Sequence, residues 1–280
     1  MLSSVAGGME MDLLNAIIIG IIQGLTEFLP VSSSGHLVIA QRLLGVEMPG
    51  LTFEIFLHFG TLISVFWVFR ERIAAIFMSV VSLLSPRQWD RFQTSENRRF
   101  LFLLIVGSIP TALIALFARD MVEEAFASTR MVGYSLIVTG ALLWVADVLP
   151  GGNKDINKTR VSDVLLIGVF QGLAVLPGIS RSGSTISGAL FRRLDKRTAA
   201  EYSFLLSVPA IGGATVLELI TVLRDGTFAG NWLFFATGVL VAALSGIFAI
   251  RVFLSVLVKN RLRWFGLYCW AMALVAIFIL

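Results

Sequence analysis

The sequence predicts an all-α polytopic membrane protein, an inverted-topology repeat with six transmembrane helices and two re-entrant helical hairpins. Three observations lead there. Of 280 residues, 57% are hydrophobic and 14% charged, with a mean hydropathy of +0.87, whereas soluble domains carry roughly 25% charged residues. Two segments, 20–36 and 168–185, share an order: an apolar stretch with Gln-Gly-Leu, a proline, then small hydroxyl residues. The basic residues fall between apolar stretches, which bears on which side each loop occupies.

The elements follow in order. Residues 12–45 are long enough for a span but are broken midway by Pro30 and Ser32-Ser33-Ser34-Gly35. Non-helical backbone at membrane depth survives only where protein or a wet cavity satisfies it, so this segment reads as a hairpin of two short helices. Stretches 52–69, 100–118 and 131–149 each approach the ~20 residues that a bilayer requires. Residues 162–193 repeat the broken pattern around Pro177-Gly178, and 201–222, 232–250 and 264–280 are further spans. The chain thus divides into a first repeat, 1–150, and a second, 151–280.

Loop charge sets the expected orientation. Arg70, Arg72, Arg87, Arg91, Arg98 and Arg99 put the 70–99 loop in the cytoplasm, and the acidic 119–130 loop falls outside. The loops with Lys154, Lys158 and Arg160, with Arg192, Arg193, Lys196 and Arg197, and with Lys259, Arg261 and Arg263 all stay inside only if both broken segments fail to cross. The first hairpin then enters from outside and the second from the cytoplasm, an arrangement known from secondary transporters. The N-terminus lacks a basic leader region, so the first apolar segment is expected to be retained. Net charge of +4 fits basic membrane loops, and no nucleic acid partner is expected. The lone Cys269 excludes an internal disulfide and reads as packing.

Polar residues inside apolar segments are the candidates for chemistry, because each is costly there. Gln23 and Glu27 lie one turn apart on one helix face. Glu27 is a candidate site residue, and Gln23 serves either the site or a bridge between helices. Ser32, Ser33, Ser34 and His36 follow a proline and offer hydroxyls, amides and an imidazole near neutrality. His58, one turn after Glu54, either pairs with it or lines the same cavity. In the second half Ser180, Arg181, Ser182, Gly183 and Thr185 open a helix. Donors of this kind around a guanidinium suit a phosphate, although Arg181 could instead form a buried ion pair with Glu27. The chain has no Walker Gly-x-x-x-x-Gly-Lys run and no Gly-x-Ser-x-Gly elbow, and two histidines with one cysteine argue against structural zinc.

These motifs, Gln23 with Glu27, Pro30 through His36 and Pro177 through Thr185, resemble the bacitracin-resistance family of undecaprenyl-diphosphate phosphatases. The likeness extends to Phe53-Glu54 and Glu201-Tyr202-Ser203-Phe204. It implies an integral membrane hydrolase in the bacterial cytoplasmic (inner) membrane, its active site facing the outer side. The substrate implied is a polyprenyl diphosphate lipid, converted to the monophosphate carrier used in peptidoglycan synthesis, with bacitracin resistance as a consequence. A divalent cation, Mg²⁺ or Ca²⁺, is implied, with Glu27 and Gln23 as its candidate ligands. Catalysis is expected from Glu27, Ser33, His36 and Arg181, and diphosphate binding from Ser32, Ser34, Ser180, Ser182, Gly183 and Thr185. The nucleophile is either Ser33 or a water activated by His36. A polyprenyl-phosphate flippase is the alternative, and homo-oligomerisation stays open.

Overall fold

The computed structural model describes residues 12–45, 50–81, 96–126, 128–225, 232–257 and 262–280. The calls on the N-terminal eleven residues, and on Arg87, Arg91, Lys259 and Arg261, lie outside the described residues. Among the described residues regular structure is helical, with one isolated bridge between Lys154 and Leu194. The helices are α1 (Leu13–Phe28), α2 (Ser33–Leu44), α3 (Gly50–Val68), α4 (Arg70–Val81), α5 (Glu96–Phe117) and α6 (Arg119–Phe126). There follow α7 (Thr129–Val148), α8 (Val161–Leu173), α9 (Arg181–Phe191), α10 (Lys196–Asp225), α11 (Trp232–Leu257) and α12 (Arg263–Phe278).

Four of these, α5, α7, α10 and α11, are long and apolar enough to cross a membrane. The α3–α4 pair would be a fifth if it counts as one span, bent by 80°. The last expected span, 264–280, takes the form of α12, an apolar helix of 16 residues. One expectation is corrected. Residues 70–81, read as part of a basic loop, form α4, whose run Ile73-Ala-Ala-Ile-Phe-Met is apolar and whose Glu71 suits a helix start. Large side chains such as Phe117, Leu116, Leu223 and Phe278 are among the most exposed. A polytopic helical membrane protein turns such residues toward lipid.

Both broken segments are helix–turn–helix units. Asp12 caps α1, its carboxylate accepting from the Asn15 backbone N–H at 2.7 Å. Ser32 caps α2 and Ser180 caps α9, each through its hydroxyl to a glycine N–H, at 3.3 and 3.0 Å. Such caps satisfy N–H groups that the first helical turn leaves without partners. The far end of the second unit is tied by buried Asp163, which meets Arg192 Nε at 2.6 Å and Lys154 Nζ at 3.0 Å.

Packing crosses between the two halves. Helix α1 lies on α11 and α8 lies on α5, while α3 meets α10 and α7 meets α12. Both first helices carry Gly-x-x-x-Gly, as Gly20/Gly24 and Gly168/Gly172. A Cβ at Gly24 would overlap Ser245 and the Gly246 backbone, and one at Gly168 would overlap the Gly107 carbonyl. Close backbone approach of this kind is what small residues give to helices in lipid.

Candidate active site

The two turns meet. Ser182 Oγ donates to the Leu29 carbonyl at 3.2 Å, and Gly178 N–H donates to Ser34 Oγ at 3.4 Å. Gly178 has φ 92°, a left-handed conformation suited to glycine. A Cβ there would also strike the Val132 carbonyl and the Ser135 side chain on α7. Thr139 of α7 holds this turn from below: its hydroxyl donates to the Gly178 carbonyl at 2.9 Å and accepts from Ser180 N–H at 3.0 Å.

Glu27 is the centre of what these turns bring together. Its Oε1 accepts from Arg181 Nη2 at 2.6 Å. Its Oε2 accepts from Ser33 Oγ at 2.6 Å and from Gln23 Nε2 at 3.0 Å, and His58 Nε2 stands 3.4 Å away. One buried carboxylate is thus met from α1, α2, α3 and α9. Charge-assisted contacts of this length are the strong class of hydrogen bond. Arg181 has a second engagement, Nη1 to the Ser203 carbonyl on α10 at 3.4 Å. Ser33 and Arg181 are the first residues of α2 and α9. Equivalent positions of the two repeated motifs therefore converge on the same acid.

A cavity of about 310 Å³ opens beside this cluster. Glu27, Ser33, Ser34, Glu54, His58, Ser180 and Arg181 form its polar wall, and Ile55, Phe126, Val175, Ile179 and Ile211 are among its apolar lining. The surroundings are those of an amphiphile's pocket: a polar end beside apolar walls.

The remaining candidates fall behind the wall. Ser32 caps α2 and Ser182 holds Leu29. Gly183 donates its N–H to Ser180 Oγ. Thr185 is buried, with its hydroxyl 2.8 Å from the Arg181 carbonyl and 2.5 Å from Ser203 Oγ. His36 sits behind the turn, its Nδ1 2.7 Å from the Ser32 carbonyl and its Nε2 2.7 Å from the Tyr268 hydroxyl. Of the two weighed roles for His58 and Glu54, both residues line the cavity, and His58 reaches Glu27 rather than the Glu54 carboxylate. Reasoning from sequence missed Thr139 and Tyr268 and gave Ser203 no role beyond the family likeness, because their partners are distant in the chain.

A divalent cation can be tested against these donors. Gln23 Oε1 is buried with no hydrogen-bond partner, and amide oxygens are ligands for hard cations. Among the described residues no group of three or more His, Cys, Asp or Glu is placed to hold a metal unaided. A cation held by one or two protein oxygens and completed by substrate phosphates fits this set.

Fold and site define a polytopic helical membrane protein with an ion-paired polar centre at the junction of two broken segments. The chain belongs to the family described as Bacitracin resistance protein BacA, whose model matches residues 16–275. It is 44% identical over 272 residues to the undecaprenyl-diphosphatase of Alkaliphilus metalliredigens, covering 95% of this chain and 98% of that protein. It is 42% identical over 269 residues to that of Halothermothrix orenii, with 96% and 98% covered. With the undecaprenyl-diphosphatase of Methanobrevibacter smithii it shares 40% over 271 residues, with 95% and 96% covered.

Proposed function

We propose that this chain hydrolyses undecaprenyl diphosphate to undecaprenyl phosphate and phosphate, returning the lipid carrier to cell-wall synthesis and conferring bacitracin resistance. Family membership and the relatives' shared name support the activity. The observation that carries it to particular atoms is the Glu27 cluster, where a hydroxyl and a guanidinium meet one buried carboxylate at 2.6 Å each.

The chemistry then runs as follows. Ser33 Oγ gives its proton to Glu27 Oε2 and bonds to the terminal phosphorus of the diphosphate. The bond from that phosphorus to the bridging oxygen breaks, and undecaprenyl phosphate leaves. Glu27 passes that proton to the departing phosphate oxygen and is a carboxylate again, able to take a proton from water. The water oxygen bonds to the phosphorus, the Ser33 Oγ–phosphorus bond breaks, and Glu27 returns the proton to Ser33 Oγ as phosphate is released. Arg181 stabilises charge on the transferring phosphoryl group, which is the main requirement of this reaction class. Glu27 and Gln23 would hold a Mg²⁺ or Ca²⁺ ion, near the cavity that Glu27 and Glu54 line, and when bound it would supply positive charge to phosphate oxygens. Ser33 is favoured over a water activated by His36 because Ser33 lies on the cavity and touches the acid.

Trapping tests this directly. Acid quench during turnover of radiolabelled substrate should leave phosphate on Ser33, and Ser33→Ala should lose about 1000-fold or more in rate. A wild-type rate in Ser33→Ala, or phosphate on histidine, would remove the serine route.

In this reading the halves 1–150 and 151–280 form an inverted repeat, with six spans and the units 12–45 and 162–193 re-entrant. The swapped packing of α1 on α11 and α8 on α5 supports it, as does loop charge. The polyprenyl tail stays in bilayer, and the site faces the outer side of the cytoplasmic membrane. In whole cells an impermeant thiol reagent should label Ser34→Cys from outside, with substrate protecting. Labelling from the cytoplasm alone would invert the orientation, and labelling that changes side with substrate would favour the flippase.

A further inference from the structure

Buried His36 and the partly exposed Tyr268 make a polar contact that the chemistry above leaves unused. The turn before α2 contains Ser32 at φ 70°, a left-handed conformation that non-glycine residues seldom adopt. Such a conformation persists only where its surroundings hold it. The Ser32 carbonyl receives the His36 backbone N–H at 3.2 Å and the His36 Nδ1 at 2.7 Å. A carbonyl can only accept, so Nδ1 carries the proton. Neutral imidazole then presents Nε2 as an acceptor, and the Tyr268 hydroxyl lies 2.7 Å from it as the donor. The rings stack with planes 6° apart and centroids 5.5 Å apart. The next residue of α12, Cys269, places its sulfur 3.7 Å from the Pro30 carbonyl, so α12 holds this turn at two points.

The second unit supplies an internal comparison. Its capping residue Ser180 has φ −69°, ordinary backbone, and Ser184 stands where His36 stands in the first unit. Ser184 N–H reaches the Ser180 carbonyl at 2.8 Å, but Ser184 Oγ has no partner. The imidazole occurs at the turn whose cap is left-handed and not at the one whose cap is relaxed.

We infer that His36 and Tyr268 are positioning residues: Tyr268 fixes the His36 tautomer, and His36 holds the Ser32 turn that delivers Ser33 to Glu27. The reading rests on Ser33 being the reactive group, but the tautomer and its dependence on Tyr268 do not. A displacement of about 1 Å in a reacting group can cost ~100-fold in rate, so a strap on this turn has catalytic consequences without touching substrate.

The test uses the full-length protein in detergent with polyprenyl diphosphate. Asparagine can place its amide N–H near the position of Nδ1, whereas glutamine extends its amide toward Nε2. His36→Asn should retain kcat within about tenfold of wild type, and His36→Gln should fall by ~100-fold or more, with KM little changed in both. Tyr268→Phe keeps the ring stack, removes the hydroxyl, and should lower kcat about tenfold. The chain has two histidines, so ¹⁵N-imidazole NMR with His58→Gln as the assignment control can read His36 alone. Wild type should show the Nδ1–H tautomer, and Tyr268→Phe should shift part of the signal toward Nε2–H. Equal inactivity of folded His36→Asn and His36→Gln would assign the imidazole to proton transfer and overturn the inference. An Nε2–H tautomer in wild type, or one unmoved by Tyr268→Phe, would overturn it too. Were Ser33→Ala active while the NMR result held, the serine route would fall and the strap would stand.

Discussion

Glu27→Gln is expected to lower kcat by about 1000-fold or more, the largest effect of any isosteric change in this chain. The carboxylate accepts from Arg181, Ser33 and Gln23 together and has His58 within 3.4 Å. An amide of the same shape loses the charge and turns one oxygen into a donor. An NH₂ facing Arg181 meets a donor, and one facing the other way makes Ser33 and Gln23 accept, so that Ser33 Oγ loses the group that takes its proton. General-base assistance alone typically contributes 10²–10⁴-fold, and Arg181 loses its counter-charge in the same step. Removing one member of a buried ion pair can cost about 3–5 kcal/mol. Arg181 lines a cavity, though, so part of that cost is relieved by water. Steady-state kinetics and a thermal melt of the purified variant separate these effects. A folded Glu27→Gln protein with kcat within tenfold of wild type would reduce Glu27 to packing, and Ser33 would need another base.

Much of this centre was legible in the sequence because burial cost is local. An acid at position 27 and an arginine at 181 inside apolar runs are anomalies that any reading of polarity finds. The breaks at Pro30 and Pro177 are equally local, and both appear as turns between short helices. By sequence a phosphate and Glu27 are alternative partners for Arg181, and its side chain meets Glu27 while lining the cavity. Hydroxyl clusters proved ambiguous for a physical reason. A serine before a helix can cap it or face a ligand, and Ser32 caps α2 while Ser180 both caps α9 and lines the cavity. Thr185, a candidate phosphate donor by sequence, has its hydroxyl bonded to the Arg181 carbonyl and Ser203. Contacts such as His36 with Tyr268, on α2 and α12, follow from tertiary packing and leave no periodic trace. His58 did leave a signal, its i, i+4 spacing from Glu54 on an apolar helix, but the spacing could not say that Glu27 was its neighbour. In residues 70–81 the flanking arginines signal a loop, while the apolar run between them forms α4.

Arg181→Lys should cost at least ~100-fold in kcat while leaving the fold intact. Arginine here makes two divergent contacts from one planar group, Nη2 to Glu27 at 2.6 Å and Nη1 to the Ser203 carbonyl at 3.4 Å. Those anchors fix the plane of the guanidinium at the cavity wall, so its direction is set before substrate arrives. Lysine keeps the positive charge and its pairing with Glu27, so little stability should be lost. It has neither the fork nor the length to hold both anchors and face a phosphate. Loss of one preorganised donor to a transition-state oxyanion typically costs 10²–10³-fold. The deficit should therefore appear in kcat more than in KM, because the lysine ammonium still attracts the diphosphate at long range. Ser203→Ala makes a useful companion: the contact from Arg181 is to the backbone, so that variant should leave the guanidinium in place and kcat within a few-fold of wild type. If Arg181→Lys turns over at near the wild-type rate, position 181 needs only a point charge, and orientation by the Ser203 carbonyl is irrelevant to the chemistry.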